Sequence, residues 1–102
     1  MTMPNSGPNA GQISGSSVVR RSDNHFRTDH EGAMIIMSVE AGKFFTFDNI
    51  GFEIWDCFAE PRTVSEVVDQ LAARHEAPVE RVEADVIAFL DRLAIASLLE
   101  NA

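Results

Sequence analysis

Apolar and polar residues alternate in three segments in the first half of the chain, and the spacing then becomes helical. The segments are residues 18–28, residues 33–39 with the run MIIM, and residues 43–48 with three phenylalanines. Alternation with a period of two is typical of β-strands. Turn residues separate the segments, and Gly42 can adopt a positive φ without penalty. The pattern therefore predicts a three-stranded antiparallel meander.

Three of the six residues in the third predicted strand, residues 43–48, are phenylalanines. Phe45 and Phe47 share one face, whereas Phe44, Thr46 and Asp48 share the other, because side chains alternate along a strand. Both faces of one strand cannot be equally buried in a two-layer domain, so at least one phenylalanine is expected to contact something else. We predict that this strand is an open sheet edge at which a partner adds its own strand.

Three helices are predicted after the strands. Asp48 can cap the first helix, which ends before Pro61. Thr63 and Glu66 form a capping box at the start of the second, which ends near His75. The apolar stripe of the first helix consists of Ile50, Ile54, Trp55 and Phe58, and that of the second consists of Val64, Val67, Val68 and Leu71.

The third helix starts at Pro78 and carries two stripes. The stronger one consists of Val79, Val82, Val86, Phe89, Leu90 and Leu93, and the weaker one consists of Glu83, Ile87, Leu90 and Ala94. The weaker stripe indicates either a partly exposed apolar groove or the margin of a broad buried face. The order of elements predicts an α+β domain resembling a winged helix-turn-helix, a three-stranded antiparallel sheet followed by three helices.

Length and composition limit the organisation of the chain. Its 102 residues suffice for one domain, at residues 18–102. Residues 1–17 contain no charged side chain and are rich in Gly, Ser, Pro and Asn, so they are predicted to be a disordered tail. The net charge of −8 disfavours nucleic acid as a partner. The sequence shows no membrane span or secretion signal, and we expect a cytoplasmic location.

Side chains typical of catalysis or cofactor binding form no recognisable motif. Cys57 has no patterned base and is expected to be a buried thiol. His25, His30 and His75 lack the spacing of metal ligands. We therefore predict no enzyme activity, no metal and no cofactor. A winged-helix DNA reader is also disfavoured because the second helix offers two acidic residues against Arg74.

The region from Gly42 to Leu99 resembles the PqqD-like family of recognition elements, which bind leader peptides of ribosomally made, later modified precursors. The matching features are the aromatic strand ending at Asp48, Gly51 with Ile54-Trp55, Pro61, Thr63-Val64, Glu66, Leu71, Asp85-Val86, Phe89-Leu90, Leu93 and Leu98-Leu99. The family usually has Leu-Asn in place of Phe47-Asp48, a mild change because Asp also caps helices. It has Gly in place of Ser97, which makes the end of the third helix uncertain.

The resemblance implies that a leader peptide binds as an added strand between the third strand and the third helix. The residues that it implies for peptide binding are Lys43, Phe44, Phe45, Thr46, Phe47, Asp48, Glu83, Ile87, Leu90, Asp91 and Ala94. Domains of this kind present the leader to a modifying enzyme or a leader peptidase. The small size suits lasso-peptide processing, which we favour, or maturation of a cofactor of the PQQ type. An adaptor that binds a folded enzyme is an alternative, and the unpaired edge makes a monomer or a weak edge-paired dimer the expected state.

Overall fold

The computed structural model describes residues 12–31 and 33–101, which form six strands and three helices. The strands are β1 (Val18–Arg21), β2 (His25–His30), β3 (Ala33–Ser38), β4 (Lys43–Phe47), β5 (Arg62–Thr63) and β6 (Leu99–Asn101). The helices are α1 (Asn49–Cys57), α2 (Val64–His75) and α3 (Val79–Ile95). The predicted α+β class is confirmed.

The larger sheet is an antiparallel meander in the order β2-β3-β4, as predicted. Its first strand is shorter than expected, because residues 18–28 divide into β1 and β2. The buried Ser22 separates them, and its hydroxyl bonds to the Asn24 side chain and to the carbonyl of Ser97. Such local side-chain hydrogen bonds compete with a continuous ladder, which explains why one expected strand becomes two.

A second small sheet, in the order β5-β1-β6, was not predicted. β1 is its central strand, with Val18 opposite Thr63 and Val19 opposite Asn101. Strands of two or three residues carry too little pattern to be recognised from sequence. This sheet joins the region preceding α2 to the segment following α3, and Val19 is fully buried between them.

The core lies where the larger sheet, α1 and the α2–α3 hairpin meet. The largest fully buried side chains include Trp55, Phe58, Ile36, Leu90, Leu93 and Leu98. Trp55 packs at the centre of aromatic contacts, with the Phe47 ring 5.5 Å and the His25 ring 5.0 Å from its own ring. The apolar stripes predicted for the helices therefore supply most of this core.

The segment 12–17, which composition assigned to the tail, packs against the start of α2. Ile13 is only 6% exposed and belongs to the core. The carbonyl of Gly15 accepts hydrogen bonds from the backbone N–H of Ser65 at 2.9 Å and from its hydroxyl at 2.8 Å. The first amides of a helix lack partners within it, and this segment supplies them. Residues 1–11 lie outside the described residues, and their disorder stays a prediction.

The predicted caps of the first two helices are confirmed. Asp48 accepts a hydrogen bond from the Gly51 N–H at 2.7 Å. Thr63 and Glu66 make both bonds of a capping box, at 3.1 and 3.2 Å. The hydrogen bond from the Thr63 hydroxyl lowers the pKa of Glu66, so that carboxylate stays ionised at neutral pH. These caps determine where the chain changes from strand to helix.

α3 ends in a Schellman motif even though the residue in the left-handed position is Ser97, with φ of 60°. Leu98 N–H donates to Leu93 O at 2.8 Å, and Ser97 N–H donates to Ala94 O at 3.1 Å. The contact between Leu98 and Leu93, both buried, is typical of this motif. Ser97 therefore occupies the left-handed position at which this motif usually has glycine.

Replacing Ser97 with glycine should stabilise the protein. A non-glycine residue in the left-handed region costs roughly 1–2 kcal/mol, partly offset by the greater unfolded-state freedom of glycine. We expect Ser97→Gly to raise the free energy of unfolding by about 0.5–1 kcal/mol in urea titrations. Ser97→Ala is the control, because it keeps the left-handed penalty and should not stabilise. An unchanged midpoint for Ser97→Gly would contradict this explanation.

Candidate functional site

The outer edge of β4 is unpaired among the described residues, since β4 bonds only to β3 in its sheet. The Val39 N–H donates to the carbonyl of Asn24, which identifies the residues of β3 that bond to β2. Bonded and non-bonded pairs alternate in antiparallel ladders, so the even-numbered residues of β3 bond to Lys43, Phe45 and Phe47. The N–H and C=O groups of Phe44 and Thr46 therefore point outward, available to an added strand.

The two faces of β4 differ in burial. Phe47 is 7% exposed and Phe45 is half-buried on the face towards the core, whereas Phe44 is 69% exposed on the opposite face. Lys43 and Thr46 are exposed as well. Phe44 is thus the phenylalanine of this strand that the domain itself leaves uncovered.

α3 packs on the core side of the sheet and runs antiparallel to β4. Near the end of β4, the Phe47 and Phe89 rings lie 5.0 Å apart, edge to face. Near its start, Lys43 pairs with Ser38, whose hydroxyl donates to the carbonyl of Ala96 at 2.7 Å. These contacts place Phe89 beside the end of β4, and they place the residue that follows α3 beside β3, next to the start of β4.

A groove of about 740 Å³ lies between the end of β4, the start of α1 and α3. Its lining consists of Ala33, Thr46, Phe47, Asp48, Ile50, Gly51, Ile54, Asp85, Ala88, Phe89 and Arg92. Ile95, which is 74% exposed, lies on the same face of α3 because it follows Arg92 by three residues. We use the name β4–α3 groove for these lining residues, Ile95 and the outer edge of β4.

Gly51 allows α1 to approach the floor of the groove closely. A Cβ atom there would lie 3.2 Å from the Phe89 ring, 3.3 Å from Asp48 Oδ1 and 3.4 Å from the Phe47 Cβ. All three distances are at or below 3.4 Å, the lower limit of ordinary van der Waals contact for a Cβ atom. Phe47 in turn contacts Trp55, so the groove floor is coupled directly to the single tryptophan of the chain.

The structure brings together only part of the predicted set. Thr46, Phe47 and Asp48 line the groove, and Lys43, Phe44 and Phe45 lie on the same strand. The five residues expected from α3 do not line it: Glu83, Ile87, Leu90, Asp91 and Ala94. At about 100° per residue, they centre roughly half a turn away from the face formed by Asp85, Ala88 and Arg92.

The surroundings of the predicted α3 residues explain this difference. Leu90 is fully buried, and Ile87 and Ala94 pack partly against the core. The Glu83 carboxylate approaches Gly15 in the segment before β1. The weaker stripe is therefore the margin of a broad buried face, the second of the two interpretations left open by the sequence. A role for these residues in peptide binding stays a prediction.

The sequence pattern did not identify Asp85, Ala88 and Arg92. A mostly polar helix face has the same pattern whether it lines a groove or faces open solvent. The available signal was Phe89, which belongs to the core stripe and also contacts the aromatic strand. Asp85 and Arg92, four positions before and three positions after Phe89, share its side of the helix, and Ala88 is three and four positions from these two residues. An apolar residue expected to contact β4 would thus have identified the face of α3 that lines the groove.

The sheet face opposite the core carries no charged side chain at its described positions. It consists of Phe26, Thr28, Ala33, Ile35, Met37, Phe44 and Thr46. Phe26, Met37 and Phe44 are direct neighbours across the three strands, and the two phenylalanines are 68% and 69% exposed. We call this surface the outer sheet face.

Cys57 has the environment of a structural thiol. Burial raises the pKa of Cys57, although the nearby Arg62 and Arg74 guanidinium groups act in the opposite direction. The thiol is therefore protonated at neutral pH, the less nucleophilic form. Within the described part of the chain, no group of three or more His, Cys, Asp or Glu residues could hold a metal ion, and no helix is long and apolar enough to cross a membrane.

Taken together, the fold and the groove define a small α+β domain with an open sheet edge opposite a helix. The family model described as coenzyme PQQ synthesis protein D (PqqD) matches residues 33–99. The chain therefore belongs to the PqqD family, as its aromatic strand and helix motifs suggested. The match begins at β3 and contains every element of the β4–α3 groove. A comparison with curated proteins gives no match.

Solved structures with a similar fold include the following two. TbiB1 in complex with the TbiA(beta) leader peptide is 28% identical, with a TM-score of 0.70 over 81% of this chain and 96% of that chain. The PqqD truncation of Methylobacterium extorquens PqqCD is described as a functional, stand-alone recognition element for ribosomally synthesised and post-translationally modified peptides. It is 24% identical, with a TM-score of 0.72 over 87% and 95% of the two chains, and shows the fold alone.

Proposed function

We propose that this protein binds the leader peptide of a ribosomally made precursor as a strand added to β4, in the β4–α3 groove. The observation that carries the proposal is the backbone of Phe44 and Thr46 beside an open groove, which no strand within residues 12–31 and 33–101 pairs on its outer side. Membership of the PqqD family and the similarity to a leader-bound protein support it.

Backbone pairing alone cannot hold the leader. Ordering its chain costs roughly 1–2 kcal/mol per residue, whereas each new hydrogen bond contributes only about 0.5–1.5 kcal/mol net. Apolar leader side chains must therefore enter the groove, each contributing roughly 1.5–3 kcal/mol when fully buried. Leader residues opposite Phe45 and Phe47 point to that side, because paired strands present side chains in register. Ala88 and Phe89 form the apolar part of the helical wall. The exposed Ile95 lies further along the same face of α3.

Leader binding serves presentation, and the protein itself acts without catalysis in this proposal. The enzyme that receives the leader, a modifying enzyme or a leader peptidase, needs a second surface. The outer sheet face suits that role because it is exposed, apolar and uncharged in a protein of net charge −8. It adjoins the leader edge through Phe44, so bound leader and enzyme would be neighbours. We favour a lasso-peptide pathway over cofactor maturation.

A fluorescence titration tests the proposal. Trp55 lies beneath Phe47, so a leader in the groove should change its emission. We expect saturable binding of the synthetic leader from the precursor encoded nearest to this gene, and no binding of its core segment. Failure of the isolated leader to bind, while the protein still captures the folded modifying enzyme, would favour the adaptor function instead.

A further inference from the structure

The two ends of the β4–α3 groove carry opposite charges. Asp48 and Asp85 line the end where β4 finishes. Arg92 lies on α3 seven residues after Asp85, about 10 Å along the axis, towards the end where Lys43 begins β4. All four residues are exposed, and the ion pairs among the described residues involve none of Asp85, Arg92 and Lys43.

Neighbouring charges leave this contrast in place. Arg81, one turn before Asp85, and Arg27, which lines a second cavity with Asp48, partly offset the acidic end. Arg27 is itself paired with Asp29 at 3.4 Å, so the carboxylates at this end still outnumber the guanidinium groups. Asp48 caps α1 through its Oδ1 atom alone, which leaves Oδ2 available to a ligand. At the other end, Lys43 and Arg92 are both basic in a chain with twice as many acidic as basic residues.

We propose, resting on the proposed leader function, that the groove selects a peptide with a basic residue at its N-terminal flank and an acidic residue at its C-terminal flank. The direction follows from strand geometry. A strand added to β4 in the antiparallel sense of this sheet begins beside Asp48 and ends beside Lys43. Its first flank meets Asp48 and Asp85, and its last flank meets Lys43 and Arg92.

This selection differs from the attraction of an acidic protein for any basic peptide. The net charge of −8 favours basic peptides over long distances regardless of their pattern. A wholly basic peptide nevertheless places like charges beside Arg92. Exposed pairs contribute modestly, so we expect about a threefold preference per flank, or about tenfold for both flanks together.

Four synthetic peptides test the inference. They share the apolar centre of the leader that binds in the titration and differ only in their flanks: Lys then Glu, Glu then Lys, two Lys, or two Glu. At low salt, we expect the Lys-then-Glu peptide to bind about tenfold more tightly than the Glu-then-Lys peptide. High salt should reduce that ratio towards one.

Charge-reversed variants identify the residues responsible. In Asp85→Lys/Arg92→Glu, both positions are exposed, and each end keeps one acidic and one basic residue, so the preference between the Lys-then-Glu and Glu-then-Lys peptides should fall to about one. The control is Glu80→Lys, which reverses a single exposed charge on the other side of α3, outside the predicted peptide-binding set, and should keep the original preference.

The possible failures are distinct. Absence of binding by the parent leader defeats the proposed function itself. Equal binding of the four peptides, or a ranking that follows net charge alone, overturns only the charge pattern. A preference for Glu then Lys in the unmodified protein, lost in the double variant, overturns the antiparallel direction.

Discussion

Replacing Thr46 with proline should weaken leader binding roughly tenfold to hundredfold while leaving the protein folded. The Thr46 N–H points away from β3, so proline removes a group that only an added strand would use. The leader carbonyl that would accept it is left without a partner, which costs roughly 1–3 kcal/mol. The proline ring also occupies the space of the incoming backbone. Sheet edges tolerate proline, so the unfolding transition should shift only slightly.

Thr46→Val is the matched control for this change. It keeps the N–H group and the β-branched shape, and it removes only an exposed hydroxyl. Leader affinity, measured through Trp55 emission, should stay within about twofold of the original, a change of ~0.4 kcal/mol. If Thr46→Pro folds and binds the leader as tightly as Thr46→Val does, strand addition to β4 is wrong.

Replacing Ala88 with tryptophan should also reduce affinity roughly tenfold to hundredfold. Ala88 lies on the helical wall of the groove, and a bulky ring there would exclude an apolar leader side chain. Burial of one such side chain contributes roughly 1.5–3 kcal/mol, which sets the size of the loss. Ala88 is exposed, so the fold should accept the substitution. Anisotropy of a labelled leader is the suitable measurement, because the new tryptophan would obscure Trp55.

Glu83→Trp separates a blocked groove from a general effect of added bulk. It introduces the same side chain at another exposed position of α3, on the side that approaches Gly15. Leader affinity should be nearly unchanged. The opposite ranking, with Glu83→Trp the more damaging variant, would restore the weaker stripe of α3 as the binding surface and refute the assignment of the leader to the Ala88 side.

The order of elements in the larger sheet and the helices follows directly from local pattern. The alternation in residues 33–39 and 43–48, the cap at Asp48 and the capping box at Thr63 each depend on neighbours within a few positions, and all are present in the structure. The small sheet of β1, β5 and β6 depends on pairing across the chain. Arg20, for example, lies opposite Glu100, eighty positions away, and no local signal records that contact.

The burial of Ile13 could not be predicted from the sequence for a similar reason. One aliphatic residue among Gly, Ser and Asn is typical of a tail. Its position in the core depends on Gly15 and Ser17, whose carbonyls bond to amides at the start of α2. Those amides are unsatisfied in any isolated helix, so a partner was required, but composition could not identify this segment as that partner.

By itself, the sequence determined that this is an acidic α+β domain with an aromatic strand leading into a capped helix, because period, capping chemistry and charge are local properties. Only the tertiary structure decided which side of α3 faces β4. Helical spacing shows which residues of α3 share a face, but it does not show which neighbouring element each face packs against. The contact between Phe47 and Phe89 was needed to show which face of α3 lies towards β4. That contact places Ala88 and Arg92 beside the open edge and turns Ile87 towards the core.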